Sequence, residues 1–526
     1  MDEYVFGANI LENLTTGMYQ DSKVSYREYI QNACDQIDKA VQIGVLSSIQ
    51  EGKIEIWLDE KERVISIEDN ATGIPQADFE KTLANIADSS KKLGTDKGFR
   101  GIGRLCGLAY CSELVFTSTA HGESIISEMR CDARKMRDLL NRNVNGEKFT
   151  ASEVLKEIYS FDYKTDTTIK DEHWFKVELI GINKENTDLL DFAQVKKYLS
   201  FTAPVPYKNT FPFQTEIYKH ADEIGYNIDE YTIKLNGEDV FKRYSTHFKT
   251  SKGDDKIFGI EFKDFRDDSG NLVMWMWFGL SCFKGIIKKE CDMRGVRLRK
   301  ENIQIGNEDA LQKLFKEDRG QHYYIGELFA VSKNLIPNSQ RDYFNENSTR
   351  IWFENECRRF FKELYDVYHN SSAANSSFKK IDDYQKKLEK HNKKIENHDY
   401  IDDAHITQVE HDLKNAETDA QKAKNTIDKL KNKSDSSEAN VFFNRVIDRI
   451  EREYGKNINE QIQGNYSNVS GNISKATTKS PKRTDKLSRC NKQERKLLGR
   501  IFNIIMKSTD EKTAESIIKN IEDEFK

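Results

Sequence analysis

Long apolar runs are missing from this chain. None approaches the roughly 20 residues needed to cross a bilayer, so no membrane is expected among its partners. The opening MDEYVFGANI has no basic region leading into a hydrophobic segment, which argues against secretion and for a cytoplasmic protein. Cysteines at metal or redox spacing are absent too: the eight present are scattered from Cys34 to Cys490 without a C-x-x-C pair. Buried free thiols in a reducing compartment are the expectation, and structural zinc is not. No phosphate loop of the form G-x-x-x-x-G-K-[ST] occurs, and no metal-ligand spacing appears after residue 350. Charge of one sign is not in large excess; a net charge of −5 argues against a surface that coats nucleic acid as a whole and leaves room only for a local patch.

What is present is polar and long. An apolar fraction of 37% against 32% charged residues suits extended exposed helices better than a compact globule throughout. At 526 residues the chain exceeds what one core can organise, so about three domains are expected.

The stretch Tyr26 to Asp38, YREYIQNACDQID, reads as a helix with Tyr29, Ile30, Ala33 and Ile37 able to pack and Glu28, Asn32 and Asp35 on one side. A carboxylate and a carboxamide four residues apart then share one space. Attack by water on a phosphate needs both: a base for the water and a neutral oxygen ligand for Mg²⁺. Ile54 to Leu58 and Val64 to Ile67 alternate as a half-buried hairpin and lead into EDNATGIP. There Asp69 ends a strand, where a carboxylate can accept an exocyclic amine, and Gly73 sits in the turn beyond, where backbone can approach a ligand closely. An ordinary Asp-Asn turn after an edge strand has the same appearance.

After a helix over Phe79 to Ala87, SSKKLGTDKGFRGIGRLCGL breaks the pattern with Gly94, Gly98, Gly101 and Gly103 before an apolar helix resumes. Glycines feeding a helix N-terminus leave N–H groups free to cradle phosphate, and Lys91, Lys92, Lys97, Arg100 and Arg104 add positive charge. A basic loop of this kind is also what a nucleotide lid requires.

The ordered boxes E-x-x-x-N-A-x-D, D-N-x-x-G-I and G-F-R-G-x-G, all within the first 105 residues, closely resemble those of the GHKL ATPases, the superfamily of gyrase-type topoisomerases, heat-shock chaperones, MutL, MORC proteins and sensor histidine kinases. The resemblance implies an α+β fold: a Bergerat-type ATP-binding α/β sandwich, a transducer-like αβ domain and an α-helical C-terminal region. It implies Glu28 as general base, Asn32 as Mg²⁺ ligand, Asp35 as a pocket-lining residue and Asp69 as the carboxylate that recognises adenine, with Gly73 in the turn beyond it. Lys97, Gly98, Phe99, Arg100, Gly101, Ile102 and Gly103 take the phosphate-loop and lid positions. Ala71 stands where the family usually has glycine. The family's threonine behind the adenine has no obvious counterpart; Thr117, Thr119 and Thr168 are the candidates, with strand Lys176 to Ile180 as host.

Asp191 to Leu199 reads as a helix, and Pro204 and Pro206 then punctuate the chain. We expect domains over 1–203, 204–370, 371–435 and 436–526. TIKLNGEDVFK is a strand, Asn-Gly turn and strand; strands are expected at Lys256 to Phe262, Leu272 to Phe278 and Ile325 to Val331, with GVRLRKENIQIGN as a loop. NLIPNSQRDYF resembles the chaperone segment whose arginine reaches the γ-phosphate, which puts that arginine at Arg341. Arg294, Arg297, Arg299 and Lys300 form a second basic cluster, expected to be solvated or to face a partner.

Residues from Thr349 to Tyr368 recur at helical spacing as core. Ile381, Tyr384, Leu388 and Ile395 follow a heptad, with His391 at one seam position. After a break the pattern restarts at Ile406, Val409, Leu413, Ala416, Ala420, Ala423, Ile427 and Leu430, as an antiparallel coiled-coil hairpin or a dimeric coiled coil would. Ten Lys or Arg against two acidic residues between Lys475 and Arg500 could hold DNA phosphates. The last residues read as two short helices with a capping box at Ser508 and Glu511, a place for an effector protein to dock.

The resemblance implies an ATPase with ATP and Mg²⁺ as cofactors, a homodimer formed on ATP binding, and slow turnover limited by lid closure. DNA work or defence against phage would suit this layout. A nucleotide-gated scaffold that recruits an effector without hydrolysis is the alternative, and a histidine kinase a further one. The second lacks its phosphoacceptor before the ATPase domain: His391, His405 and His411 all follow it.

Overall fold

Ile54 and Ile56 alternate with polar neighbours, as do Ile65 and Ile67. In the computed structural model they lie on β1 (Lys53–Asp59) and β2 (Val64–Asp69), antiparallel with Ile56 opposite Ile67. The structure describes residues 6–15, 17, 21–86, 103–397, 403–432, 438–454, 487 and 489–525. Beyond β2 come β3 (Glu113–Thr119), β4 (Ile125–Asp132), β5 (Tyr159–Thr165), β6 (Trp174–Ile180), β7 (Thr232–Leu235) and β8 (Glu238–Asp239). They form one eight-stranded sheet in the order β5-β4-β3-β6-β2-β1-β7-β8. Every neighbouring pair is antiparallel except β1 with β7. The Asn-Gly turn between β7 and β8 places Asn236 at φ 46° and Gly237 at φ 80°, the left-handed pair a two-residue hairpin needs.

Helices α1 (Asn9–Thr15), α2 (Val24–Gln42), α3 (Gln76–Ala84), α4 (Ala133–Val144), α5 (Ala151–Ile158), α6 (Phe192–Thr202) and α7 (Gln214–Glu223) accompany these strands. Tyr29, Ile30, Ala33 and Ile37 of α2 share one buried cluster with Ile54, Ile56, Ile65 and Ile67. The expected packing face of that helix is therefore the one that covers the sheet. Asp191 caps α6 by accepting from the Gln194 N–H at 3.0 Å.

Short strands β9 (His247–Thr250) and β10 (Gly253–Lys256) precede a second, five-stranded sheet. It contains β11 (Gly259–Arg266), β12 (Leu272–Leu280), β13 (Gly295–Lys300), β14 (Ile303–Gln304) and β15 (Ile325–Ala330), in the order β11-β12-β15-β13-β14. Two expectations are corrected here. GVRLRKENIQIGN is not a loop: Gly295–Lys300 is a strand parallel to β15, and Glu301 and Asn302, both left-handed, turn it back into β14. The basic cluster on it is not solvated either, since Arg297 is 5%, Arg299 0% and Lys300 7% exposed. Their partners explain this. Glu327 of β15 accepts from Arg299 Nε at 2.5 Å, from Lys242 Nζ at 2.9 Å and from the Tyr244 hydroxyl at 3.0 Å, and Arg297 stacks 4.3 Å from the Phe201 ring. The two cations hold Glu327 well down, at about 2, against the burial that would raise it.

Two compact units divide the chain. The first comprises Met1–Lys249, Ile257–Gly279 and Ile287–Phe361; the second comprises Thr250–Lys256, Leu280–Ile286 and Lys362–Lys526. Helix α8 (Ser348–Glu396) opens with the expected core residues Phe353, Cys357, Phe360 and Phe361, all buried. In the second unit α9 (Asp403–Lys431) has every heptad position from Ile406 to Leu430 buried or half-buried, and of the heptad residues Ile381, Tyr384, Leu388, His391 and Ile395 on the preceding arm of α8 Ile395 alone is exposed. α10 (Glu438–Glu453) buries Phe442, Phe443, Val446, Ile447 and Ile450. Two helices close the described chain, α11 (Lys492–Ser508) and α12 (Glu511–Glu524). The expected capping box at Ser508 and Glu511 is not formed. Asp510 caps α12 by accepting from the Thr513 N–H at 3.1 Å, because a carboxylate directly before the first turn outcompetes a serine still inside the previous helix. No described helix is long and apolar enough to cross a membrane.

Candidate functional site

Asp69 is buried because of its register. On β2 the core-facing positions are Ile65, Ile67 and then Asp69, so period two carries a carboxylate into an apolar layer. It is 4% exposed; Oδ1 accepts from the Ala71 N–H at 3.1 Å, and burial raises its pKa to about 7. An acid kept so short of donors is ready for one from a ligand. The turn after it is tied to α2 through Thr72 Oγ1, which donates to Gln36 Oε1 at 3.0 Å. Gly73 has φ 61°, and a Cβ there would overlap the Thr119 carbonyl oxygen, so only glycine fits. Ala71, in contrast, is not among the positive-φ residues, and the alanine in place of the family's glycine carries no backbone strain.

Of the threonine candidates, Thr117 and Thr119 are buried on β3, and the Thr119 carbonyl is the group packed on Gly73. Thr168 is exposed and accompanies Asp166 in a short turn instead. A residue not anticipated stands nearer: His173 Nδ1 donates to the Ala71 carbonyl at 2.6 Å. It lies two positions before Phe175, which pairs with Asp69. Only strand register, invisible without the fold, could have pointed to it.

On α2, Glu28 and Asn32 are half-buried and Asp35 is buried. A short helical turn, Gly103–Ala109, is fixed against this helix by Tyr29, whose hydroxyl donates to the Arg104 carbonyl at 3.0 Å and accepts from the Gly107 N–H at 3.1 Å. That clamp puts Gly103 against the Glu28 carboxylate, which a Cβ there would overlap. Lys97, Gly98, Phe99, Arg100, Gly101 and Ile102 lie outside the described residues, as do Lys482, Arg483 and Lys486 of the basic segment.

Arg341 reaches the same helix from far along the chain. Its loop is held by Asn338, whose N–H donates to the Tyr343 carbonyl at 2.9 Å and whose carbonyl accepts from the Arg341 N–H at 3.1 Å. The Gly306 N–H donates to the Arg341 carbonyl at 2.8 Å. Arg341 itself is 6% exposed with φ 54°, an uncommon angle for a long side chain and a sign that the surrounding contacts fix it. Burial lowers its pKa, while the charge of Glu28 opposes that fall. Arg27, unremarked in the sequence, joins the two parts: Nη2 donates to the Gln340 carbonyl at 2.9 Å and lies 3.4 Å from Glu28 Oε1.

Residues 21–165 match the family model of histidine kinase-, DNA gyrase B- and HSP90-like ATPases. The chain is also similar to the chaperone protein HtpG of Aliarcobacter butzleri (strain RM4018), 31% identical over 90 residues, which is 16% of this chain and 14% of that protein. HtpG of Geobacter metallireducens (strain ATCC 53774 / DSM 7210 / GS-15) is 31% identical over 88 residues, again 16% and 14%. The matching stretch thus spans about a seventh of these relatives.

Proposed function

We propose that the chain is an ATP-hydrolysing conformational switch. The adenine amine donates to Asp69, Gly73 lets the turn backbone close on the base, and Asp35 lines the pocket. Asn32 offers a neutral oxygen to Mg²⁺, which would neutralise phosphate charge there. Glu28 takes the proton of the attacking water as its oxygen bonds to the γ-phosphorus and the β,γ-bridging P–O bond breaks, ADP leaving with the electron pair. Arg341 stabilises charge on the transferred group. The loop from Lys97 to Gly103 closes over the phosphates and excludes water. Closure couples to dimerisation and to the helical C-terminal part, and hydrolysis resets both.

One observation carries this reading: Arg27 lies 3.4 Å from Glu28 Oε1 and donates to the Gln340 carbonyl of the distant Arg341 loop, while Gly103 presses on the same carboxylate. A solvated glutamate on a helix surface would have neither neighbour. The fit of the base carboxylate supports adenine, since Asp69 is desolvated and engages one N–H through Oδ1. The test is phosphate release by the full chain with MgATP, paired with the affinity for a non-hydrolysable analogue. Binding without release favours a nucleotide-gated scaffold, and neither one removes the nucleotide site.

A further inference from the structure

Gln31 was unremarkable in the sequence, an amide on an amphipathic helix. In the structure it is 1% exposed, and neither its Oε1 nor its Nε2 has a hydrogen-bond partner among the described residues. A buried carboxamide that leaves both a donor and an acceptor unmet is costly to keep, and in a native core it calls for an explanation such as a catalytic role or a bound water. Its neighbours say what. Arg27, Gln31 and Asp35 follow one another at intervals of four, so they form a single ridge along α2, with Glu28 about 60° around the helix from Gln31. All three ridge residues are buried. The charges of Glu28, Arg27 and Asp35 all bear on the Arg341 guanidinium, and Arg27 is bonded to the residue just before it, Gln340. The loop that carries Arg341 is thus fastened to the first member of the ridge, one helical turn from Gln31.

We propose that Gln31 orders the attacking water between Glu28 and Arg341, accepting one of its hydrogens at Oε1 while Nε2 donates to a γ-phosphate oxygen. This rests on the proposed hydrolytic reading and adds a residue to it. The chemistry is balanced by Glu28 alone: one water proton goes to the Glu28 carboxylate, the other stays on the new phosphate oxygen, and the amide neither gains nor loses a proton. A carboxamide suits the task because it offers a donor and an acceptor together and stays neutral beside two arginines and two carboxylates. Both unmet atoms are satisfied by one event, the arrival of the triphosphate with its water.

The test uses the full chain with Mg²⁺ and ATP. Gln31→Met keeps the length of the side chain and removes both hydrogen-bonding atoms. Phosphate release, the Kd of a non-hydrolysable ATP analogue and thermal melting are measured on the same preparation. The expected result is a fall in kcat of about 10- to 100-fold with analogue Kd within about threefold of wild type and no loss of thermal stability. A folded, analogue-binding Gln31→Met protein with kcat within about twofold of wild type overturns the inference. Lowered melting with kcat unchanged overturns it as well, that being the signature of an amide held by internal water alone. Should Gln31→Met not melt cooperatively, Gln31→Asn retains the amide one carbon short; loss of kcat with Kd kept supports the inference, and wild-type kcat refutes it. Glu28→Ala is run in parallel. Normal turnover in Glu28→Ala sinks the parent reading, whereas loss of turnover in Glu28→Ala beside wild-type turnover in Gln31→Met sinks only the role of Gln31.

Discussion

Arg27 donates through Nη2 to the backbone carbonyl of Gln340, 313 positions later, at 2.9 Å. The same nitrogen lies 3.4 Å from Glu28 Oε1, so one guanidinium touches both the candidate base and the loop that carries Arg341. At 5% exposure Arg27 is shielded from solvent, where a charge-assisted hydrogen bond holds a loop more firmly than at a surface. Arg27→Met keeps the aliphatic packing and cuts the link. Its kcat is expected to fall about tenfold with analogue affinity little changed, because Arg341 would be placed less well. Equal kcat in a stopped-flow phosphate assay would show that Arg341 docks without help from Arg27.

The Asp69 carboxyl, raised to about 7 by burial, makes both stability and binding depend on pH. Between its ordinary value near 4 and about 7, the folded chain holds a proton that the unfolded chain has released, so stability falls as pH rises through that window and levels off above it. Asp69→Asn removes that slope, and its melting temperature should exceed that of wild type at pH 8 while converging on it near pH 4. If Asp69 recognises adenine as proposed, it does so as the ionised acid, so ATP affinity should rise from pH 6 to 8 with release of a proton on binding. Calorimetry in buffers of different ionisation enthalpy reads that proton, and affinity independent of pH would detach Asp69 from the base.

Ala71 and Gly73 should respond oppositely. Ala71→Gly is expected to lower stability by about 0.4–1 kcal/mol, through the freer unfolded chain, without tightening nucleotide binding. Gly73→Ala must displace the Thr119 carbonyl and should lose nucleotide binding along with more stability than that. Equilibrium denaturation and analogue titration of both variants check the contrast; tighter binding by Ala71→Gly would mean that the position is strained after all.

Glu327 is fully buried between Arg299 and Lys242. Glu327→Ala strands two cations, Arg299 on the second sheet and Lys242 beside it, and a loss of about 3–5 kcal/mol is expected, since removing one partner of a buried pair leaves the other charge uncompensated. A loss under about 1 kcal/mol by denaturant melting would point to water reaching the cluster.

Periodicity made the first half legible. Tyr29, Ile30, Ala33 and Ile37 announced the buried face of α2, the Ile alternation announced β1 and β2, and Asn236-Gly237 announced a hairpin. Of the candidate site, spacing and a resemblance point to Glu28, Asn32 and Asp35, and the resemblance alone to Arg341. What escaped notice had its cause elsewhere in the chain. Arg297, Arg299 and Lys300 look solvated until β15 brings Glu327 beside Arg299, Phe201 meets Arg297, and the Ser332 carbonyl accepts from Lys300 at 2.9 Å. Arg27 looks like a surface polar residue until the Gln340 carbonyl accepts from it, Gln31 gives no sign in the sequence that it is buried, and His173 reaches Ala71 only through the pairing of β2 with β6. Local pattern fixes elements; it does not say which polar residues another element will cover.

The most direct measurement compares wild type with Glu28→Ala in one experiment, recording phosphate release and ATP affinity together. We expect Glu28→Ala to bind ATP as wild type does while turnover falls at least about 100-fold, as the loss of a positioned general base requires. Turnover near the wild-type rate in a protein that still binds ATP would contradict the assignment of Glu28 and with it the hydrolytic switch.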